Sequence, residues 1–196
     1  MCGVFGIRSA ERDVARLSYF GLFALQHRGQ EAAGIAVSDR GRLTVIRDMG
    51  LVAQVFDEEK LGALPGDVAI GHTRYSTTGS NAWANTQPLV HHGRSRTVAI
   101  GHNGNLTNTT ELREALAVER IGLGATSDTE AIAALIANDP APVAEAVARA
   151  MPRLEGAYSV VALSEGKLLA FRDPHGIRPL ALGRLVNEGG QSDWVV

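Results

Sequence analysis

The chain has 196 residues, 45% apolar and 20% charged, with a formal net charge of -2. That length and composition suit one domain able to bury a core without disulfides or metals, and they exclude a disordered or fibrous chain. The balanced charge has no basic run and so argues against a nucleic-acid partner, and no apolar run approaches the ~20 residues of a membrane helix.

The N-terminus reads Met1-Cys2-Gly3-Val4-Phe5-Gly6-Ile7, a short buried strand with two glycines over which a backbone or ligand can pass closely. It is too short for a signal-peptide core and lacks a basic leader. Cys2 is the single cysteine, which rules out an internal disulfide and fits a reducing, cytoplasmic setting. Removal of Met1, expected before so small a residue, would give Cys2 a free α-amine. A thiol with pKa ~8.5 and an amine with pKa ~7.7–8.0 would then place nucleophile and base on one residue. The dipeptide alone favours a plainer reading, because free cysteine is among the most buried residue types.

Residues 12–27 predict a helix, with Val14, Leu17 and Leu25 at helical spacing and His27-Arg28-Gly29 at its end. Ala32–Ser38 and Leu43–Arg47 read as a hairpin turned by Asp39-Arg40-Gly41, and Asp67–Gly71 as a further strand. Residues 74–87 read as a polar loop, and Thr97–Gly101 as a strand. Val68–His72 and Val98–His102 are the same five residues, VAIGH; this is either coincidence between two apolar strands or a pair of neighbours in one sheet, which would place both following loops at one edge. Helices follow at Thr110–Val118 (cap Thr109 or Thr110), from Ser127 to about Ala137 with a Ser127/Glu130 capping box, and at Pro140–Met151. Tyr158–Leu163, Lys167–Phe171, Pro179–Leu182 and Asp193–Val196 read as strands, with a turn at Asp173-Pro174-His175-Gly176. Strands, then helices, then strands predict layered α+β packing. Ending inside the strand Trp194-Val195-Val196, the sheet reads as cut short.

Arg74, closing a strand, has the fork to grip a carboxylate; the plainer reading is a solvated arginine. Asn103-Gly104 has the composition of an oxyanion hole, or of a simple Asn-Gly turn. Asp128, in the first turn of a helix, suits a substrate ammonium or mere helix capping. No HExxH, cysteine cluster or phosphate-binding glycine loop occurs, and adjacent His91 and His92 would point to opposite faces, so no metal site is expected. Taken jointly, a nucleophile with its own base, an oxyanion hole, a carboxylate clamp and an ammonium partner describe hydrolysis of an amide-bearing α-amino acid, glutamine or asparagine.

CGVFGI, LQHRGQEAAGIAVSD (25–39), GHTRYSTTG (71–79), NTQPL (85–89), GHNGNLTN (101–108), SDTE (127–130) and FRDPHGIRPL (171–180) together resemble the glutaminase domain of the amidophosphoribosyltransferases, over nearly the whole chain. The resemblance implies an N-terminal-nucleophile hydrolase, a four-layer αββα sandwich occupying residues 1–196. It implies Cys2 as nucleophile with its α-amine as base, Asn103 and Gly104 as oxyanion hole, and Arg74 for the glutamine α-carboxylate. Thr77 would line that pocket, Asp128 would take the α-amine, and Arg28 and Gly29 would close the pocket from the other side. Glucosamine-6-phosphate synthase is similar around GHTR but carries a histidine where Thr78 stands. The family's phosphoribosyltransferase half is not in the sequence, so the chain alone is expected to release ammonia and transfer it to nothing. No cofactor is expected in this chain. The full-length family uses Mg2+ with phosphoribosyl pyrophosphate, forms homo-oligomers, and in some members holds an iron–sulfur cluster whose cysteines are missing here. Competing readings are another N-terminal-nucleophile amidase, which would need neither Arg74 nor Asp128, and a non-catalytic module of the same fold.

Overall fold

Several strands predicted above are near-continuous apolar runs, and a computed structural model, described over residues 1–75, 83–186 and 192–196, shows why. Residues 32–38, 68–71, 98–101 and 158–163 are covered on both faces. β1 (Gly3–Arg8), β2 (Ala32–Asp39), β3 (Arg42–Met49), β4 (Val68–Arg74), β9 (Gly183–Val186) and β10 (Ser192–Val195) form an antiparallel sheet in the order β3-β2-β4-β1-β10-β9. β5 (Leu89–His92), β6 (Thr97–Leu106), β7 (Gly156–Ser164) and β8 (Lys167–Arg172) form a second antiparallel sheet in that order. α1 (Val14–Leu25) and the short α2 (Val52–Val55) and α3 (Glu58–Gly62) cover the first sheet. α4 (Thr109–Val118), α5 (Asp128–Asn138) and α6 (Val143–Ala150) cover the second. The result is the expected αββα sandwich.

Period-2 alternation sorts each strand between its two neighbours. Ile35, Val37 and Ala69 face the helices over the first sheet, whereas Ala36, Val68 and Ile70 face the second sheet. Val98, Ile100, Val160 and Ala162 face α4–α6, whereas Ala99, Val161 and Leu163 face inward. α5 is buried from Thr129 to Ala137, as a helix that is apolar all round must be.

Several sequence expectations need correction. The strand from Thr97 runs on to Leu106, so Asn103 and Gly104 lie inside a strand rather than in a loop. The two VAIGH strands are not sheet neighbours. Both edges of β4 are taken by β2 and β1, and β6 is paired by β5 and β7, so the echo strands lie in facing sheets. His72 reaches across, its Nε2–H donating to the carbonyl of His102 at 3.1 Å. Pro179–Leu182 is not a strand; pairing begins at Gly183. Asn108, not a threonine, precedes α4, and α6 starts only after Pro142. Ser127 does cap α5, accepting from Glu130 N–H at 3.4 Å, but Glu130 turns to the N–H groups of Gly124 and Ala125 instead of closing a capping box. The turn at Asp173 is as predicted: its carboxylate accepts from the N–H groups of His175 and Ile177, both at 3.0 Å, Arg178 at 3.2 Å and Tyr158 at 3.3 Å.

Candidate active site

Cys2 directly precedes β1, a strand hydrogen-bonded between β4 and β10. Alternation sets it on the same face as Val4 and Gly6, which pack toward the second sheet. Its carbonyl accepts from Arg28 Nε at 3.1 Å, and its Sγ lies 3.5 Å from Tyr75 N–H. Burial pushes the Cys2 thiol up; the Tyr75 contact and the nearby Arg74 charge oppose this without cancelling it. Met1 is bonded to Cys2, so the Cys2 nitrogen is a peptide nitrogen.

β6 supplies the opposite wall. β5 stops at Leu89, opposite Ile100, so beyond that point one edge of β6 has no strand partner among the described residues. In an extended strand the N–H groups of alternate residues point to the same edge. His102 N–H is taken by Gln87 Oε1 at 2.7 Å and Leu106 N–H by Asp128 Oδ2 at 3.0 Å. Gly104 lies between them, so its N–H faces the same edge, onto a cleft of about 230 Å³. Only glycine fits there: an added Cβ would lie 2.1 Å from the Ala157 carbonyl.

The cleft brings together Cys2, Arg74, Gly104 and Asp128. Its size is below that of a drug-binding pocket and suits a single small metabolite. Arg74 is buried at the end of β4, which delivers a permanent cation to the cleft. Asp128 opens α5, and its carboxylate is held by Leu106 N–H and by Thr129 N–H at 2.8 Å, with His102 Nδ1 at 3.5 Å. Burial alone would raise the Asp128 pKa. The His102 contact and the two backbone donors outweigh it and hold the carboxyl below its usual range.

The remaining expected residues are placed differently. Asn103 lines a second, mostly apolar cavity of about 510 Å³, with Phe5, Leu25 and Leu180. Cys2 belongs to both walls. Arg28 lines this apolar cavity and not the polar cleft. Gly29 lines neither; it gives room for the backbone of Thr73 and Arg74, which a Cβ would meet at 2.6–2.7 Å. Thr77 lies outside the described residues. The sequence reading missed Gln87, Thr129 and Tyr75. Gln87 and Thr129 are buried polar side chains bonded to one another at 3.1 Å, and a Gln or Thr in an NTQPL or SDTE run shows nothing of that pairing. His102 was legible only as the end of a strand. It is buried in the cleft wall with His72 behind it, which burial holds at a pKa of about 3 and hence neutral.

A model of the glutamine amidotransferase domain matches residues 72–190. The amidophosphoribosyltransferase of Mycobacterium leprae (strain TN) is 49% identical over 203 residues, covering 100% of this chain and 36% of that protein. The amidophosphoribosyltransferase of Synechococcus elongatus is 49% identical over 198 residues, covering 100% of this chain and 40% of that protein. Among solved structures, the glutamine phosphoribosylpyrophosphate amidotransferase of B. subtilis, complexed with ADP and GMP, superposes with a TM-score of 0.86 at 34% identity, over 100% of this chain and 41% of that one. A glutamine aminotransferase class-II domain protein from Silicibacter pomeroyi, at 18% identity and a TM-score of 0.58, shares the fold. The chain thus spans 36–40% of the length of these two curated relatives.

Proposed function

The chain belongs to the glutamine amidotransferase domain family, and from that premise we propose that it hydrolyses the side-chain amide of glutamine, with Cys2 as nucleophile. The observation that carries the proposal is the shared cleft, where a thiol, a buried guanidinium, a strand N–H on an unpaired edge and a carboxylate held ionised meet. Arg74 takes the α-carboxylate and Asp128 the α-ammonium of the substrate. A ligand bearing both charges on one carbon is an α-amino acid, and its side chain is left to reach Cys2.

Once Met1 is removed, the Cys2 α-amine accepts the thiol proton. The sulfur–carbon bond forms at the amide carbon, and the oxygen takes the negative charge, met by Gly104 N–H and the Asn103 side-chain amide. The carbon–nitrogen bond then breaks, and the stored proton leaves with the nitrogen as ammonia. Water adds to the thioester, the carbon–sulfur bond breaks, and glutamate and the thiol are released. One glutamine and one water give one glutamate and one ammonia. Arg28 is assigned to hold Cys2 by its carbonyl, and Gly29 to let the Arg74 backbone pass.

In relatives that are longer than this chain, we place the acceptor step on the remaining length. A phosphoribosyltransferase domain, using Mg2+, would combine the ammonia with phosphoribosyl pyrophosphate to give phosphoribosylamine for purine synthesis, within a homo-oligomer. An iron–sulfur cluster does not fit this chain, because one cysteine cannot supply four thiolates. No helix is long and apolar enough to cross a membrane among the described residues; a cytoplasmic setting rests on the unpaired thiol.

The test is intact mass after treatment with a glutamine-analogue diazoketone, with ammonia release from glutamine measured in parallel. A mass one methionine short, one adduct mapped to Cys2, and ammonia release are expected. A chain free of Met1 that shows no adduct and no ammonia would overturn the proposal.

A further inference from the structure

We propose that His102 is a positioning residue for substrate recognition: from inside β6 it fixes the orientation in which the Asp128 carboxylate meets the substrate ammonium. The inference rests on the glutaminase reading above and concerns a side chain to which that reading gives no role.

The His102 backbone is held from two sides and its ring from one. Its residue is clamped at both backbone atoms, N–H to Gln87 Oε1 at 2.7 Å and carbonyl to His72 Nε2 at 3.1 Å. Its Nδ1 lies 3.1 Å from Thr129 Oγ1 and 3.5 Å from Asp128 Oδ1. Gln87 Nε2 also donates to Thr129 Oγ1, at 3.1 Å, so the threonine hydroxyl joins the two residues that flank it. The carboxylate is therefore set from several sides: Leu106 N–H holds Oδ2, whereas Thr129 N–H and the His102 ring hold Oδ1. The backbone donors belong to β6 and α5 and would act on any carboxylate there. The imidazole and the Thr129 hydroxyl, each 3.5 Å from Oδ1, are the side chains that add to them, and the hydroxyl is itself held by the ring.

The other ring nitrogen carries the second observation. His102 Nε2 is buried, has no hydrogen-bond partner among the described residues, and lies against Gly104, where an added Cβ would come within 2.8 Å of it. The ring thus spans from Asp128 to the residue whose N–H faces the reacting carbonyl. With Nδ1 committed to Thr129 and Asp128, His102 holds the ammonium end of the substrate in register with the oxyanion end.

The test compares glutamine with its analogue lacking the α-amine, 4-carbamoylbutanoate, in steady-state ammonia release by the Met1-processed chain. His102→Leu keeps the volume and removes the ring nitrogens. It should raise KM for glutamine about 10- to 100-fold, the worth of a hydrogen bond to a charged group, with kcat nearly unchanged. KM for the analogue should stay put. His102→Asn, which returns a donor near the Nδ1 position, should recover most of the glutamine affinity. A KM that rises equally for both substrates would mean a structural role and overturn the inference; so would a fall in kcat alone, which would mean proton transfer. Should His102→Leu fail to fold, His102→Gln supplies the decision: its amide reaches the Nε2 rather than the Nδ1 position, so selectivity for the α-amine should fall, and unaltered selectivity counts against us. Wild-type chain that neither releases ammonia nor takes the diazoketone adduct removes the glutaminase reading and this inference together. Active wild type with unaffected variants removes this inference alone.

Discussion

Replacing Gly104 with alanine tests the geometry of β6 most directly. A Cβ built there lies 2.1 Å from the Ala157 carbonyl oxygen, 2.6 Å from Tyr158 Cα and 2.8 Å from His102 Nε2. Ordinary contact begins at 3.4 Å, so the closest approach is short by about 1.3 Å. Two of the three obstacles are backbone of β7, which is itself paired to β8 and cannot recede alone. β6 must therefore shift off β7 at the register Gly104–Tyr158. Overpacking of this kind costs about 1–3 kcal/mol. In a domain of this size that lowers Tm by roughly 2–12 °C. The same shift moves the Gly104 N–H from the place where the oxyanion forms, which should reduce kcat by about 10²- to 10³-fold. Differential scanning calorimetry and ammonia release read the two effects separately. Alanine at 104 with wild-type Tm and wild-type kcat would refute both the strand-edge geometry and the role given to this N–H.

Four further outcomes follow from the site. Cys2→Ser should abolish ammonia release and leave the melting curve in place, and residual turnover would point to another nucleophile. Asp128→Ala should raise KM for glutamine far more than it lowers kcat; an unchanged KM would remove the ammonium role. Arg28→Leu frees the Cys2 carbonyl that Arg28 Nε now holds at 3.1 Å, and misplacement of a nucleophile by an ångström costs up to ~10²-fold in rate, so kcat should fall with KM little altered. Asp173 is held below its usual range: burial would raise it, and four backbone N–H groups outweigh that. A depressed carboxyl stabilises the fold above its unfolded pKa of ~3.9 and loses that contribution as pH falls through the lower, folded value. Asp173→Asn should therefore melt below wild type at pH 7, and the gap should close on acidification; a gap independent of pH would argue against the turn cage.

The sequence displayed the layers but not their facing. Continuous apolar runs such as Ala32–Ser38 and Tyr158–Leu163 required cover on both faces, and the helical stretches between them had to supply half of it. What repetition could not tell was whether the two VAIGH strands lie side by side or face to face. That depends on pairings made by β1 and β7, far away in the chain. The same blindness hid the setting of Asn103-Gly104. Asn103-Gly104 has turn composition, yet pairing with Ser159 and Tyr158 of β7 keeps it extended. Cys2, Arg74 and Asp128 were readable because each sits where an element begins or ends, and local signals mark such places. Gln87, Thr129 and His102 act through one another across 15 to 42 residues, and no local signal reports a contact of that span. Arg28 was placed on the substrate pocket by the resemblance of its motif; in the fold it reaches the Cys2 carbonyl from the apolar side.

The position of β1 carries a consequence for synthesis. One of its edges pairs with β4, available once residue 74 has been made, but the other pairs Ile7 with Val195, almost a full chain later. At ~5–20 residues per second, that interval is roughly 10–40 s on the ribosome. Throughout it, the strand that follows Cys2 presents an unpaired apolar edge, the kind that recruits a stray strand from another chain. It is β10 that closes this edge of β1.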